Sequence, residues 1–503
     1  MSPLICHLRL LLLPLAVLTA APAAHAWQNT PARCQLSLLT TLPIRYTGPS
    51  LSLTLEGRID GSPADMLIDT GAAGSMLTRT ATERRGLPLH SSDALAIGVG
   101  GVSRIYTTRI KEFKAGPASI TNSRVNVLSD FGTAPSFDAI LGAPFLLQSD
   151  LEISLATKEI KFFRPSNCDN AVLSYWDHDA VQIPFKWRSA GRDNPQFKVL
   201  LNGKEATAII DSGTSTTVIT HRAAEKAGLK MNAPGVEQAF ATAGAGLKRI
   251  ARWNATLGTL QIGRETIENA DVGVIAADVI LGADFLRSHR VLFAMSQKKL
   301  YISYVGGDAL GQWRRIEPWL QQEADAGNGD AQMMVASMHG RGNGVPLDKV
   351  QAHAWVDKAA AGGHPRANLM VGARLVKEGR YAEAAVRIRQ ALDRLPADRS
   401  GALLLYTARM HNGDTALARR ELEATFSHDT DEWPGPLADF YLGKIDEDKL
   451  MQLTVAAPDP SVQRFCQVSF AIAEGYLFAG DINREKLARE KEAVCHPAPT
   501  STP

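Results

Sequence analysis

The sequence predicts a mainly β region made of two copies of one fold, followed by an all-α region. Its 503 residues correspond to about three to four domains. Three observations predict the architecture. Two segments repeat each other without a gap, both copies contain the alternating apolar runs of strands, and the pattern becomes helical after Tyr304.

The repeat is visible by eye. Residues 61–87 (GSPADMLIDTGAAGSMLTRTATERRGL) align with residues 203–229 (GKEATAIIDSGTSTTVITHRAAEKAGL), and the offset of 142 residues is constant. A second motif follows in each copy, since DAILGAPFL at 138–146 matches DVILGADFL at 278–286. We therefore predict two lobes of the same fold, over residues 36–165 and 175–304.

Each copy reads as strands joined by glycine turns. Runs such as Leu51–Leu55 and Phe197–Leu201 alternate between apolar and other residues, as strands do. The runs 66–68 and 208–210 predict buried strands that end on an Asp. Segments KEIKFF (158–163) and KKLYIS (298–303) predict the last strand of each lobe.

One short helix is predicted in each lobe, over Thr78–Arg85 and Thr220–Ala227. A threonine that can cap the first turn opens each helix, and a glycine follows the last turn.

The two Asp-containing turns decide the chemistry. A single Asp-Thr-Gly is most simply a turn at a strand end. Here Asp69-Thr70-Gly71 and Asp211-Ser212-Gly213 occur in register, and each precedes an Ile-Leu-Gly, at 140–142 and 280–282. This double signature over residues 36–304 resembles the superfamily of pepsin and retroviral aspartic proteases. The short lobes and Ala-Ala-Gly at 72–74 are more similar to its retropepsin-like branch.

The resemblance implies a bilobal acid-protease fold that hydrolyses polypeptide substrates without a cofactor or metal. It implies that Asp69 and Asp211 are catalytic and that the hydroxyls of Thr70 and Ser212 bond across to the opposite lobe. The resemblance also implies that Gly71 and Gly213 permit the tight turns, and that Gly142 and Gly282 pack beneath these turns.

Elementary acid–base chemistry agrees with this arrangement. Two carboxylates held close together cannot both ionise cheaply, so they share one proton and their pKa values separate. The ionised group can then take a proton from water while the protonated group donates to the substrate carbonyl. Because one chain carries both halves, the catalytic unit is expected to be a monomer.

A flap that covers the cleft is expected in the first lobe at 96–102, where Gly98, Gly100 and Gly101 suit a mobile tip. Its counterpart is 239–247, with Gly244 and Gly246. Either segment is alternatively an ordinary hairpin turn. Tyr106 resembles the flap tyrosine of pepsins, although it lies beyond the tip.

The first 26 residues have the layout of a secretory signal peptide. His7 and Arg9 precede an apolar run at 10–18, and Ala24-His25-Ala26 offers a cleavage site. The alternative is an uncleaved anchor. No later stretch approaches the ~20 apolar residues of a membrane span, so export to the periplasm or the extracellular space is predicted.

The cysteines fit export. After the signal peptide four remain, and Cys34 with Cys168 and Cys466 with Cys495 favour two disulfides. None has metal-ligand spacing, so no metal is predicted. The formal net charge of +2 and the lack of a long basic run argue against a nucleic-acid partner.

The C-terminal third is predicted to be helical, with a linker at 305–322 and repeats over 323–495. Residues 329–360 resemble a Sel1-type repeat. The turns at Gly379 and Gly413, 34 residues apart, resemble tetratricopeptide repeats. Such an α-solenoid offers a surface for a protein partner or substrate, and the alternative is an appendage that only stabilises the protease.

The sequence therefore predicts an exported aspartic endopeptidase with helical repeats. The competing interpretation is a catalytically silent peptide-binding protein that keeps the protease fold. The presence of both aspartates and both neighbouring hydroxyls argues for the enzyme.

Overall fold

The computed structural model describes most of the chain after residue 32. The described residues are 33–129, 135–187, 194–242, 244–246, 248–276, 279–311, 315–396, 398–427, 432–455, 462–492 and 495. The predicted signal peptide over 1–26 lies outside them.

The N-terminal lobe is mostly β. Its elements are β1 (Gln35–Pro43), β2 (Arg45–Thr47), β3 (Ser52–Ile59), β4 (Ser62–Ile68), β5 (Met76–Thr78), α1 (Arg79–Arg84), β6 (His90–Gly98), β7 (Gly101–Ala115), β8 (Ala118–Leu128), β9 (Ala139–Leu141), α2 (Ala143–Leu146), β10 (Asp150–Ser154) and β11 (Glu159–Ser166).

The C-terminal lobe repeats this order. Its elements are β12 (Val181–Pro184), β13 (Phe197–Leu201), β14 (Lys204–Ile210), β15 (Val218–Thr220), α3 (His221–Lys226), β16 (Glu237–Thr242), β17 (Ile250–Ile262), β18 (Glu265–Ile275), β19 (Val279–Leu281), α4 (Ala283–Ser288), β20 (His289–Ala294) and β21 (Lys299–Tyr304).

Each lobe has its own sheet, in which the Ile-Leu-Gly strand lies beside the strand that ends at the Asp. In the first lobe β9 pairs in parallel with β4, and in the second β19 pairs in parallel with β14. The strand orders are β2-β3-β4-β9-β5-β8-β7-β6 and β13-β14-β19-β15-β18-β17-β16. The apolar side chains of these central strands are buried, and this burial holds the strands in place within each lobe.

The predicted short helices are confirmed, with their caps. The Thr78 hydroxyl accepts a hydrogen bond from the Ala81 N–H at the start of α1. The Thr220 hydroxyl accepts one from the Ala223 N–H at the start of α3. Such caps satisfy N–H groups that have no partner within the helix.

A third sheet joins the two lobes. Its six strands lie in the order β1-β11-β10-β20-β21-β12, and β10 of the first lobe pairs antiparallel with β20 of the second. The disulfide Cys34–Cys168 links the segments next to β1 and β11. The lobes are therefore held together by main-chain hydrogen bonds.

The C-terminal region is helical. Its described helices are α5 (Pro318–Asp325), α6 (Gly329–Arg341), α7 (Lys349–Ala361), α8 (Pro365–Lys377), α9 (Tyr381–Leu392), α10 (Arg399–His411), α11 (Thr415–Thr425), α12 (Gly435–Tyr441), α13 (Glu447–Val455), α14 (Val462–Phe478) and α15 (Ile482–Glu492). From α5 to α11 each helix packs on the next, and α12 packs on α10. The disulfide Cys466–Cys495 ties α14 to the segment after α15.

The linker predicted over 305–322 is shorter in the structure. Helix α5 begins at Pro318, because a proline suits the first helical turn and Leu320 and Ala324 are buried. Among the described residues, no helix is long and apolar enough to cross a membrane.

The helical region contacts both lobes at a joint formed by α5 and α6. The Trp319 ring of α5 packs on Tyr46 of the first lobe, with ring centroids 5.2 Å apart. The guanidinium of Arg287 in α4 lies 4.1 Å from the centroid of the Trp319 ring. The Asp330 carboxylate of α6 accepts from the Gly48 N–H at 2.7 Å.

Candidate active site

The two aspartates follow directly on buried strands that end side by side. Asp69 comes one residue after β4 and Asp211 one residue after β14. The N–H of Asp69 donates to the carbonyl of Leu141 at 3.0 Å, and that of Asp211 to the carbonyl of Leu281 at 2.9 Å. The pairing with β9 and β19 thus continues to each aspartate and fixes its main chain.

Four hydrogen bonds cross between the lobes beneath the carboxyl groups. The Thr70 hydroxyl donates to the Ile210 carbonyl at 2.8 Å and accepts from the Ser212 N–H at 3.1 Å. The Ser212 hydroxyl donates to the Ile68 carbonyl at 2.7 Å and accepts from the Thr70 N–H at 3.1 Å. Both side chains are buried. The arrangement has the two-fold pattern that the repeat implies.

Each carboxyl group lies against the glycine of the opposite lobe. A Cβ atom added to Gly71 would lie 2.4 Å from Cγ of Asp211, and one added to Gly213 would lie 2.4 Å from Cγ of Asp69. Any side chain at these glycines would displace a carboxyl group. The structure therefore brings Asp69 and Asp211 together at the contact between the lobes.

The two carboxyl groups have different hydrogen-bond donors. Oδ1 of Asp69 accepts from the N–H groups of Gly71 at 3.0 Å and Ala72 at 2.8 Å. Oδ1 of Asp211 accepts from the Gly213 N–H at 2.8 Å, and its Oδ2 accepts from the Thr214 hydroxyl at 2.8 Å. The repeat places Ala72 where the second lobe has Thr214, so only Asp211 receives a hydroxyl donor from its own loop.

The pKa of Asp69 is raised well above its usual range. Burial of its carboxyl group is the largest cause, followed by the negative charge of Asp211 and a hydrogen bond between the two carboxyl groups. The N–H bonds from Ala72 and Gly71 oppose this rise only in part. Asp69 is therefore suited to hold the proton that the pair shares.

The glycines after Ile-Leu lie directly beneath the loops that carry Asp69 and Asp211. A Cβ on Gly142 would lie 2.5 Å from the Gly74 carbonyl oxygen, and one on Gly282 would lie 2.8 Å from the Thr214 carbonyl oxygen. The next N–H after each glycine donates to its loop at 2.8 Å, from Ala143 and Ala283.

The two flap candidates meet at their tips. The β6–β7 hairpin turns at residues 99–100, and the Gly100 N–H donates to the Ala245 carbonyl at 2.8 Å. The Lys248 N–H donates back to the Gly100 carbonyl at 3.0 Å. Gly101 and Gly246 have φ of 96° and 103°, a region that favours glycine.

The contact between the tips also requires glycine. An added Cβ on Gly98 would lie 2.5 Å from the Ala245 Cβ, and one on Gly100 would lie 2.5 Å from the Gly246 carbonyl oxygen. Gly244 has room, with Val99 at 3.4 Å. Residues 243 and 247 of the predicted second flap lie outside the described residues.

Each tip packs on apolar residues of the opposite lobe. Val99 contacts a buried cluster of the C-terminal lobe, formed by Ile209, Val218, Ile275 and Ile280. Ala245 contacts a buried cluster of the N-terminal lobe that includes Leu67, Leu128 and Ile140. Tyr106 instead pairs with Val127 within the first sheet and packs on the main core.

Sequence reasoning missed two residues at this site. Thr214 lies within the repeat, and its hydroxyl could have been noticed as a donor three residues after Asp211. Asn194 has no counterpart, because the equivalent residue of the first lobe is Ser52. Its Nδ2 donates to the Thr70 carbonyl at 2.6 Å and to the Ile210 carbonyl at 2.5 Å, and the residue is 4% exposed.

No group of three or more His, Cys, Asp or Glu in the described part of the chain could hold a metal ion.

Each lobe is similar to a known protein family. Residues 55–145 match the family model described as "Aspartyl protease", and residues 197–288 match the one described as "gag-polyprotein putative aspartyl protease". The crystal structure of an aspartic proteinase from Irpex lacteus matches with 14% identity and a TM-score of 0.36, covering 54% of this chain and 98% of that chain. No curated protein matches the sequence. Each lobe therefore contains a segment that is similar to an aspartyl protease family, over residues 55–145 in the first lobe and 197–288 in the second.

Proposed function

We propose that the protein is an exported aspartic endopeptidase in which Asp69 and Asp211 activate one water molecule. The observation that carries this proposal is the pairing of the two carboxyl groups, each against the glycine of the opposite lobe. The four hydrogen bonds that cross beneath them fix this pairing. Charge repulsion would otherwise separate two carboxylates at such a contact.

The raised pKa of Asp69 assigns the shared proton to this residue. Asp211, which receives the Thr214 hydroxyl, acts as the ionised base and takes a proton from water. The water oxygen attacks the peptide carbonyl carbon, and Asp69 donates its proton to the carbonyl oxygen. Asp211 then passes the proton that it took from water to the amide nitrogen, and the C–N bond breaks. One hydroxyl of the tetrahedral intermediate returns its proton to Asp69, so the products are a carboxylic acid and an amine and the pair of carboxyl groups is restored.

The hairpin tips serve as two flaps. Two main-chain hydrogen bonds, from the Gly100 N–H to Ala245 and from the Lys248 N–H to Gly100, hold the tips together. A peptide enters only when these two bonds break. The apolar clusters on which the tips pack become walls for apolar substrate side chains.

The test is cleavage of casein and of a peptide library by the mature chain, beside Asp69→Asn and Asp211→Asn. We expect the wild type to cleave these substrates. Each variant should lose activity by about 1,000-fold, because a single remaining carboxyl group has no second carboxyl group with which to share a proton. A matched control is Asp348→Asn, which keeps its role as the cap of α7 because asparagine caps equally well. Equal activity in the wild type and both dyad variants would refute the proposal.

The same assay separates the alternative function. A silent peptide-binding protein would bind peptides without cleaving them, and the dyad variants would bind as the wild type does. Size-exclusion chromatography of the active fraction tests the single-chain dyad. Activity confined to a dimer would contradict it.

We propose that the helices form a repeat array of the Sel1 and tetratricopeptide kind, over 323–495, that binds substrate or a protein partner. The consecutive packing of α5 to α11 supports an array. The two disulfides support export to the periplasm or the extracellular space. Deletion of the helices should lower activity on folded protein substrates more than on short peptides.

A further inference from the structure

One buried amide lies where the two catalytic loops meet, and neither copy of the repeat accounts for it. Asn194 precedes β13, and its side chain reaches the lobe contact from below. Its amino group donates to the carbonyls of Thr70 in one lobe and Ile210 in the other. Within the described chain its Oδ1 has no hydrogen-bond partner.

The hydrogen bond from Asn194 to the Ile210 carbonyl helps to set the distance between the two loops that carry the aspartates. The Ile210 carbonyl receives both the Thr70 hydroxyl and the Asn194 amide, and the next residue is Asp211. A single side chain thereby holds the main chain of one loop to that of the other. The equivalent Ile68 carbonyl receives the hydroxyl of Ser212.

The donor to Thr70 acts on Asp69 through one peptide unit. The Thr70 carbonyl and the Gly71 N–H belong to the same peptide group. When Asn194 donates to that carbonyl, the peptide becomes more polarised and its N–H becomes a stronger donor. This N–H donates to Oδ1 of Asp69 at 3.0 Å and favours the ionised carboxylate.

We infer that Asn194 is a positioning residue, which fixes the two catalytic loops relative to each other and tunes the release of the shared proton from Asp69. The inference rests on the proposed function, since it assigns the residue to the same dyad. The titratable group that faces Asp69 is Asp211. The flanking hydroxyls of Thr70 and Ser212 do not titrate in the working range.

The experiment is a pH profile of kcat/KM on a cleavable peptide for the wild type, Asn194→Ala and Asn194→Ser. Loss of the amide weakens the Gly71 donor, so Asp69 keeps its proton to higher pH. We expect the alkaline limb of Asn194→Ala to move up by about 0.5 pH unit, with kcat about tenfold lower and KM little changed. Asn194→Ser, which retains one donor, should lie between.

The matched control is Asn368→Ala, another buried asparagine that lies in α8 and contacts Arg387. It should lower the melting temperature while its alkaline limb stays in place. If Asn194→Ala loses stability and kcat with an unmoved limb, the residue is merely structural and the inference is overturned. If Asn194→Ala does not fold, the limb of Asn194→Ser decides in the same way.

A second readout works without activity. Infrared difference titration follows the carboxyl band of Asp69, assigned by its loss in Asp69→Asn. If the wild type cleaves nothing, the proposed function fails, and this titration still decides the role of Asn194. An Asp69 band that titrates at higher pH in Asn194→Ala supports the inference, and an unchanged band refutes it.

Discussion

The Thr70 hydroxyl offers the sharpest test of how the lobes are held together. Thr70 is fully buried, and its hydroxyl donates to Ile210 and accepts from Ser212. Thr70→Ser removes only a methyl group, at a cost of about 1 kcal/mol. Thr70→Ala also leaves the Ser212 N–H without an acceptor, which adds about 1–3 kcal/mol. The Ile210 carbonyl still accepts a hydrogen bond from Asn194, so the loss of the Thr70 donor at this carbonyl adds little to the destabilisation.

We therefore expect Thr70→Ala to be less stable than Thr70→Ser by about 2 kcal/mol. The serine control is natural, because the second lobe already uses a serine at the equivalent Ser212. Urea unfolding followed by fluorescence measures the difference as a shift in midpoint at constant slope. Equal midpoints for the two variants would refute the reasoning, since the hydroxyl would then contribute nothing to the contact between the lobes.

Three further outcomes are expected. The pKa of Asp69 is raised, so the native state keeps a proton that the unfolded chain releases above about pH 4, and stability falls as pH rises from there to the native pKa. Asp69→Asn should therefore melt at a higher temperature than the wild type at pH 7 but not at pH 3. Gly142→Ala places a methyl group 2.5 Å from the Gly74 carbonyl oxygen and should cost about 1–3 kcal/mol and most of the activity. Trp319→Ala removes a ring from the joint with Tyr46, should cost about 2 kcal/mol, and should speed proteolytic release of the helices.

Each of these outcomes has its own control. Equal melting temperatures of Asp69→Asn and the wild type at pH 7 would contradict the raised pKa. Gly74→Ala is matched to Gly142→Ala, because its added methyl group meets only Met76 Cε at 3.7 Å and should be tolerated. Trp433→Ala removes an indole from the helical region away from the joint. If it released the helices as fast as Trp319→Ala does, the joint would not be what holds them.

Most of the fold and of the candidate site could be predicted from the internal repeat, because the same short motif occurs in both lobes. The apolar run, the Asp and the glycine lie within a few residues of each other, so their geometry follows from strand and turn chemistry. Thr78 and Thr220 likewise predict the short helices that follow them, because a threonine can cap the first helical turn. Position 142 could be interpreted only because position 282 repeats it.

The contacts that the sequence could not predict are those between distant, unrepeated segments. The pairing of β10 with β20 depends on how two finished lobes meet, and neither strand encodes its partner. Asn194 reads as a turn residue before a proline, and nothing nearby indicates that it reaches Thr70. The contact of Gly100 with Ala245 likewise appears only when both hairpins are in place.

The six-stranded sheet has a consequence for how far the two halves of the chain can exist apart. Here β10 and β20 lie in the interior of one sheet, so cutting the chain between the lobes would bare two complementary strand edges. Bare edges invite indiscriminate pairing. Each lobe therefore depends on the other to cover one of its strand edges, and the two lobes are stable as a pair.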